Sequence, residues 1–225
     1  MTPALSTILF DMDNTLFDFV GAQIAACTEV AGFLEQDDGN TLFDTYFRSG
    51  IHGYESHLNI RDYMADRAIT DNGDFMKAVA IYERVKLEAV VPYEGVEETL
   101  AELRSMGYLL AVITDAHSRD ATRRLEKAGV LPHIAGLVSF DMVMAKKPSP
   151  VPFLTALGMM QAGPENALLV GDSPRRDIRP AASLGITTVY ARYGDRSSPS
   201  RECPEADYTI DRMPELLPVV RSLLA

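Results

Sequence analysis

Two kinds of segment alternate along the chain. Short apolar runs stop abruptly at polar residues, and longer stretches repeat apolar residues every three to four positions. Leu5 to Phe10 reads as a first strand, and the next strongly strand-like run begins only at Tyr108. In between, Phe19, Val20, Ile24, Cys27, Val30, Ala31 and Leu34 share a helical spacing, as do Phe75, Val79, Tyr82, Val85 and Leu87, which predicts two long amphipathic helices. Shorter helices are expected over 42–48 and 60–69, set apart by the breakers Gly50, Gly53, Asn72 and Gly73. Residues 16–90 therefore read as a small helical bundle. Pro92 and Gly95 mark the return to a second kind of order, in which the helix Val96 to Met106 ends at Gly107 in a C-terminal cap position. Strands are then expected at Tyr108–Thr114, Leu137–Phe140, Ala167–Gly171, Thr187–Tyr190 and Tyr208–Ile210, with helices between them. One of these helices is signalled by Phe153 to Leu157, with Ser149 available as its cap. Such alternation implies an α/β fold with a parallel sheet covered by helices on both faces.

Composition supports a globular chain. The 225 residues, 47% of them apolar, suffice for one α/β core, residues 1–15 and 91–225, carrying an inserted module. No apolar stretch approaches the roughly 20 residues a bilayer span requires, and Met1-Thr2-Pro3-Ala4 lacks a basic signal head, so a cytoplasmic protein with no membrane partner is expected. Cys27 and Cys203 are too few for a disulfide framework or a zinc site and read as reduced thiols. The formal net charge is −11; from Leu16 to Val90, 13 acids against 6 bases give a local charge of −7. That sign repels phosphate backbones, which argues against nucleic acid and for a small substrate captured locally. Most of these acids lie between helically spaced apolar residues and read as solvated helix exterior.

The chemistry concentrates where apolar runs end. After Ile8-Leu9-Phe10 come Asp11 and Asp13, one residue apart, and then the Thr15 hydroxyl. Near a strand's end, alternation turns both carboxylates to one side and Met12 to the other, so one acid can attack while its neighbour handles protons. After Leu109 to Ile113, Thr114 and the following backbone N–H groups at Asp115 suit phosphate oxygens. In Lys146-Lys147-Pro148, Lys147 adjoins the proline and could neutralise a bound phosphate. The run Ala167 to Gly171 ends in Asp172, with a second acid, Asp177, at the next helix start.

Taken together, D-x-D-x-T, a strand-end Thr, a Lys-Pro and G-D-x(4)-D occur in this order, and the chain resembles the haloacid dehalogenase superfamily of phosphohydrolases over nearly its whole length. Asn14 and Met144 depart from the glycines common at those places. The resemblance implies a Rossmann-like doubly wound sheet whose first and fourth core strands adjoin, with the helical insertion acting as a cap. It also implies an Mg²⁺-dependent phosphatase. Asp11 would be the nucleophile and a metal ligand, forming an aspartyl-phosphate, and Asp172 a second ligand. Asp13 would give the metal its backbone carbonyl and serve as general acid and base through its carboxyl. Thr114, Asp115 and Lys147 would hold the transferring phosphoryl group, with Asp177 in support, orienting Lys147 or a metal-bound water.

The expected substrate is a small phosphorylated metabolite: a triose or sugar phosphate, phosphoglycolate or a nucleoside monophosphate. The polar and aromatic stretch Ile51–His57 makes His52, Tyr54 and His57 candidates for substrate contact. Met159 and Met160 read as packing residues, and no nucleotide fingerprint is present. The protein is expected to act as a monomer or small homo-oligomer. A phosphomutase would use the same acids. A 2-haloacid dehalogenase would lack the second acid of the first motif, and a receiver-like phosphoacceptor would order its motifs differently.

Overall fold

The computed structural model describes residues 5–49, 51–196 and 202–223. Gly50 and the Met1–Ala4 start lie outside the described residues. The chain divides into two compact units, one of residues 1–18 with 91–225 and one of residues 19–90. The sequence reading set this division at residue 16.

The larger unit is built on six strands: β1 (Thr7–Asp11), β2 (Leu109–Ile113), β3 (Gly136–Val138), β4 (Ala167–Gly171), β5 (Thr187–Ala191) and β6 (Tyr208–Ile210). They form one parallel sheet in the order β3-β2-β1-β4-β5-β6. This is the doubly wound, Rossmann-like order, and the chain reverses direction across the sheet between β1 and β4, where a crevice opens beyond the strand ends. All five residues of β1 are buried, as a central parallel strand covered on both faces requires. Leu9, Ala111, Ile113, Val138 and Leu169 pack on one face with Phe153, Ala156 and Leu157 from the helix Val151–Met160. Their neighbours Ile8, Phe10, Leu110, Val112, Leu168 and Val170 turn to the other face and are equally buried. Each such side chain contributes about 1.5–3 kcal/mol.

Two boundaries here differ from the pattern-based expectation. Phe140 does not end β3 but opens the short helix Phe140–Val143, because β3 is already complete at Val138 and Ser139 breaks the ladder. Pro150, not Ser149, takes the N-cap position of Val151–Met160, while the Ser149 hydroxyl accepts the Val151 N–H at 3.3 Å. The helix Val96–Ser105 stops as expected, with Gly107 at φ +95° in the left-handed region.

The smaller unit packs the helices Phe19–Phe33 and Asn72–Glu88 with Leu58–Ala65 and a π-helical turn, Leu42–Arg48. Asn72 and Gly73, expected as breakers, form the first turn of their helix. Their N–H groups need no intrahelical partner there, and the Asp71 carboxylate caps the turn by accepting the Asp74 N–H at 2.9 Å. The core holds Phe47 stacked on Tyr82, with centroids 4.7 Å apart, beside Phe43, Ile60 and Tyr63. Lys86 is buried against it, paired with Glu83 at 2.8 Å and Glu55 at 3.2 Å. No helix among the described residues is long and apolar enough to cross a membrane.

Burial works to raise the Glu83 carboxyl, but the His57 hydrogen bond and the Lys86 charge outweigh it and hold its pKa at about 2. A folded pKa below the unfolded one gives stability that is present above the unfolded value and lost as pH falls through the folded value. Glu83→Gln should therefore lower Tm near neutrality, by about 2–4 °C per kcal/mol lost. The gap to wild type should close as pH drops from the ordinary carboxylate range toward about 2. Thermal melts across that window check this, and a pH-independent gap would refute it.

A tight approach fixes the loop after β1. A Cβ on Gly194, in the turn after β5, would lie 1.8 Å from the Asn14 carbonyl oxygen, so only glycine fits. Gly194→Ala should push that loop aside, destabilise the fold by about 1–3 kcal/mol and reduce any activity at Asp11. Wild-type melting and turnover in this variant would contradict the assignment.

Candidate active site

The site assembles at the carboxyl ends of β1, β2 and β4. β1 delivers Asp11 at its last position, and β4 ends at Gly171, immediately before Asp172. Gly171 is needed because a Cβ there would meet the Asp177 Cβ at 2.5 Å; its absence lets Asp177 close on the sheet end. The Ser173 hydroxyl accepts the Arg176 N–H at 3.3 Å, and the Ser173 N–H donates to Asp177 Oδ2 at 3.0 Å, which locks the turn carrying both acids.

Lys147 joins these pieces. Its buried ammonium donates to Asp11 Oδ1, to Asp177 Oδ1 at 2.7 Å and to the Ile113 carbonyl at 3.3 Å. Those three acceptors match the three donors of an ammonium group. Thr15 Oγ1 donates to the other oxygen of Asp11 at 2.9 Å. Burial pushes the Asp11 carboxyl up, but the charges of Lys147 and Arg176 with the Lys147 and Thr15 hydrogen bonds hold it below the usual range. Asp11 thus presents a charged, oriented carboxylate in a buried place. For Lys147, burial opposes the charge and the adjacent Asp11 and Asp177 restore it, which keeps the ammonium protonated.

Asp172 has the opposite balance. It is buried, its Oδ1 has no hydrogen-bond partner among the described residues, and burial with the charges of Asp11 and Asp177 drives its carboxyl well above the usual range. Carboxylate oxygens of Asp11, Asp172 and Asp177 all lie within 4.8 Å of one another. An all-oxygen donor set with one orphaned buried oxygen is what a hard divalent cation fills. Five acids (Asp11, Asp13, Asp115, Asp172 and Asp177) face three cations (Arg124, Lys147 and Arg176), a formal −2 that such an ion would neutralise.

The remaining predicted residues divide into two groups. Thr114 is buried at the β2 exit, its hydroxyl accepting the Ala116 N–H at 3.1 Å. The Asp115 carboxylate receives the Lys147 backbone N–H at 2.9 Å and stands 3.5 Å from Arg176, so its side chain seats the lysine. Asp13 turns its carboxylate to Arg124, whose Nη1 lies 3.2 and 3.0 Å from its two oxygens. His52, Tyr54 and His57 belong to the helical unit. There His52 bonds Asp62 at 2.9 Å, His57 bonds Glu83 at 2.8 Å, and the Tyr54 carbonyl accepts from the Gln23 amide at 3.3 Å.

Four residues of the site's surroundings went unrecognised in the sequence: Arg124, Arg176, Tyr193 and Gly194. Tyr193 donates its hydroxyl to the Thr15 carbonyl at 2.7 Å. Only Arg124 left a legible signal, since Ala121, Arg124, Leu125 and Ala128 form one helical stripe and a charge on an apolar stripe asks for a partner.

The chain resembles the glyceraldehyde 3-phosphate phosphatase of Methanopyrus kandleri, 29% identical over 97% of this chain and 98% of that protein. It also resembles the phosphoglycolate phosphatase of Neisseria meningitidis, 31% identical over 94% of this chain and 92% of the relative. Among solved structures it matches a HAD-superfamily hydrolase of subfamily IA from Geobacter sulfurreducens with a TM-score of 0.70 and 19% identity, covering 97% of each chain. Residues 8–191 match the model of the family described as haloacid dehalogenase-like hydrolase, a span running from β1 through the end of β5 and including every motif residue above. The chain belongs to the haloacid dehalogenase-like hydrolases.

Proposed function

We propose that this protein is an Mg²⁺-dependent phosphatase that hydrolyses a small phosphorylated metabolite through an aspartyl-phosphate on Asp11. The observation that carries this reading is Asp11 itself, a buried carboxyl kept ionised by Lys147 and Arg176 and held at both oxygens by Lys147 and Thr15. Phosphate monoesters resist water because attacking and leaving oxygens are both electron-rich, so catalysis needs an oriented nucleophile and concentrated positive charge. Asp11 supplies the nucleophile. Lys147 and the backbone at Thr114 and Asp115 face the phosphoryl oxygens; Lys147 reaches one by exchanging one of its three present acceptors.

Asp13 gives a proton to the leaving oxygen and then takes one from the water that releases phosphate. Asp177 keeps Lys147 in place. When bound, Mg²⁺ held by Asp11, Asp172 and the Asp13 backbone carbonyl, with Asp177 alongside, would supply divalent charge against the phosphoryl oxygens. Asp13 also disfavours a haloacid dehalogenase, because a departing halide needs no proton.

The relatives named above support a small organic phosphate such as a triose phosphate or phosphoglycolate, with sugar phosphates and nucleoside monophosphates in the same class. In the helical unit, Tyr54 is 41% exposed and is our candidate for substrate contact. His52 and His57, paired with Asp62 and Glu83, would steady its loop.

Purified protein with p-nitrophenyl phosphate should turn over continuously in Mg²⁺ and stop in EDTA; release halting near one equivalent would indicate a phosphoacceptor instead. A panel of phosphorylated metabolites then ranks substrates. Asp11→Asn should cut kcat by at least about 10³-fold in a protein that still folds, and near-normal turnover would reject the nucleophile. Asp172→Asn should raise the Mg²⁺ concentration for half-maximal rate by roughly 10–100-fold. An unchanged magnesium titration would remove Asp172 from the metal site.

A further inference from the structure

Arg124 stands out among the charged groups that the proposed mechanism does not use. It is 2% exposed and lies on the helix Ser118–Lys127, on the same face as the buried Ala121 and Leu125. Its Nη1 bridges the two oxygens of Asp13, 111 residues away in sequence. A buried guanidinium–carboxylate pair is weak evidence for a purely stabilising role, since well-packed apolar residues in place of both partners are often neutral or stabilising. What a bridging contact does supply is orientation: one nitrogen on both oxygens fixes the plane of the carboxylate. The Asp13 side chain keeps 22% of its surface exposed, against 3% for Arg124.

We propose that Arg124 is a positioning residue that fixes the Asp13 carboxyl for both proton transfers of the reaction. The inference rests on the acid–base reading of Asp13 given above. In the first half-reaction an Asp11 oxygen bonds to phosphorus while the ester P–O bond breaks, and the leaving oxygen takes the bond's electron pair and the Asp13 proton. In the second, a water oxygen bonds to phosphorus, the Asp11–phosphorus bond breaks with its electron pair returning to the carboxylate, and the water proton passes to Asp13. Asp13 ends as it began. Both transfers require the acid at one place, and a loosened Asp13 slows each in proportion to how much that step needs a proton.

The size of the effect should therefore depend on the leaving group. p-Nitrophenolate departs with little help, so in Arg124→Ala its first step should slow by less than about threefold while release from Asp11 becomes limiting. A burst of p-nitrophenolate approaching one equivalent should appear. Phenyl phosphate has a more basic leaving oxygen, and its first step should slow at least about tenfold more than that of p-nitrophenyl phosphate, with KM changing by less than about threefold. Arg124→Lys should recover most of the loss. Arg124→Ala added to Asp13→Asn should cost nothing further, because a residue acting through Asp13 has nothing left to act on.

Equal first-step losses on both esters, a further loss in the Asp13→Asn background, or wild-type behaviour would each overturn the inference. If Arg124→Ala does not fold, Arg124→Lys and Arg124→Gln enter the same comparisons under the same criteria. Full activity in Asp13→Asn would instead sink the acid–base reading itself, whereas a crippled Asp13→Asn with additive Arg124 losses would sink only the role of Arg124.

Discussion

A single buried ammonium shared between two carboxylates is the interaction on which the rest of this site depends. Two unit charges 4 Å apart interact by about 4 kcal/mol at an effective dielectric constant of 20, comparable with the 5–15 kcal/mol that keeps a typical domain folded. Asp11, Asp172 and Asp177 could not converge beyond one end of the sheet unless cations converged with them. Lys147 answers by binding Asp11 and Asp177 at once. Its own position is fixed from a third strand, where Asp115 holds the Lys147 backbone N–H and the Ile113 carbonyl receives its ammonium. Strand order explains how this is possible: β1 lies between β2 and β4, so the groups that must meet leave the sheet side by side.

That arrangement also explains what could be read from the sequence and what could not. Central parallel strands announce themselves as unbroken apolar runs, so Asp11, Thr114 and Asp172 were visible as the polar residues that stop them. Boundaries set by caps were harder. Asn72 and Gly73 disfavour helix interiors, yet in a first turn capped by Asp71 their defects carry no penalty. Arg176 was hidden because nothing local separates a basic residue on the surface from one that folds back on an acid far along the chain, here Asp115. Gly194 was hidden for another reason: its requirement comes from the Asn14 carbonyl opposite, and a steric clash with a distant backbone leaves no trace in the glycine's neighbourhood.

The two departures from the family pattern find a common physical account. Asn14 has φ +65° and Met144 φ +51°, both in the left-handed region where glycine is least strained. The backbone keeps its path at both places and the side chain adapts. Asn tolerates this region well, whereas for Met it costs roughly 1–2 kcal/mol. Met144 is 73% exposed, so its side chain extends into solvent without displacing packed neighbours. The chain thus accepts local strain ahead of Lys147 in order to retain the turn that delivers the lysine.

Asp172 shows that the balance is deliberately incomplete. Lys147 binds Asp11 and Asp177 directly, but one buried Asp172 oxygen has no hydrogen-bond partner among the described residues, and burial with the neighbouring acids drives its carboxyl well above the usual range. On the proposed reading, a cation binding there competes with protonation of Asp172, so its affinity should rise with pH. A fourth side-chain cation would have satisfied Asp172 permanently and filled the position from which charge must act on a phosphoryl group.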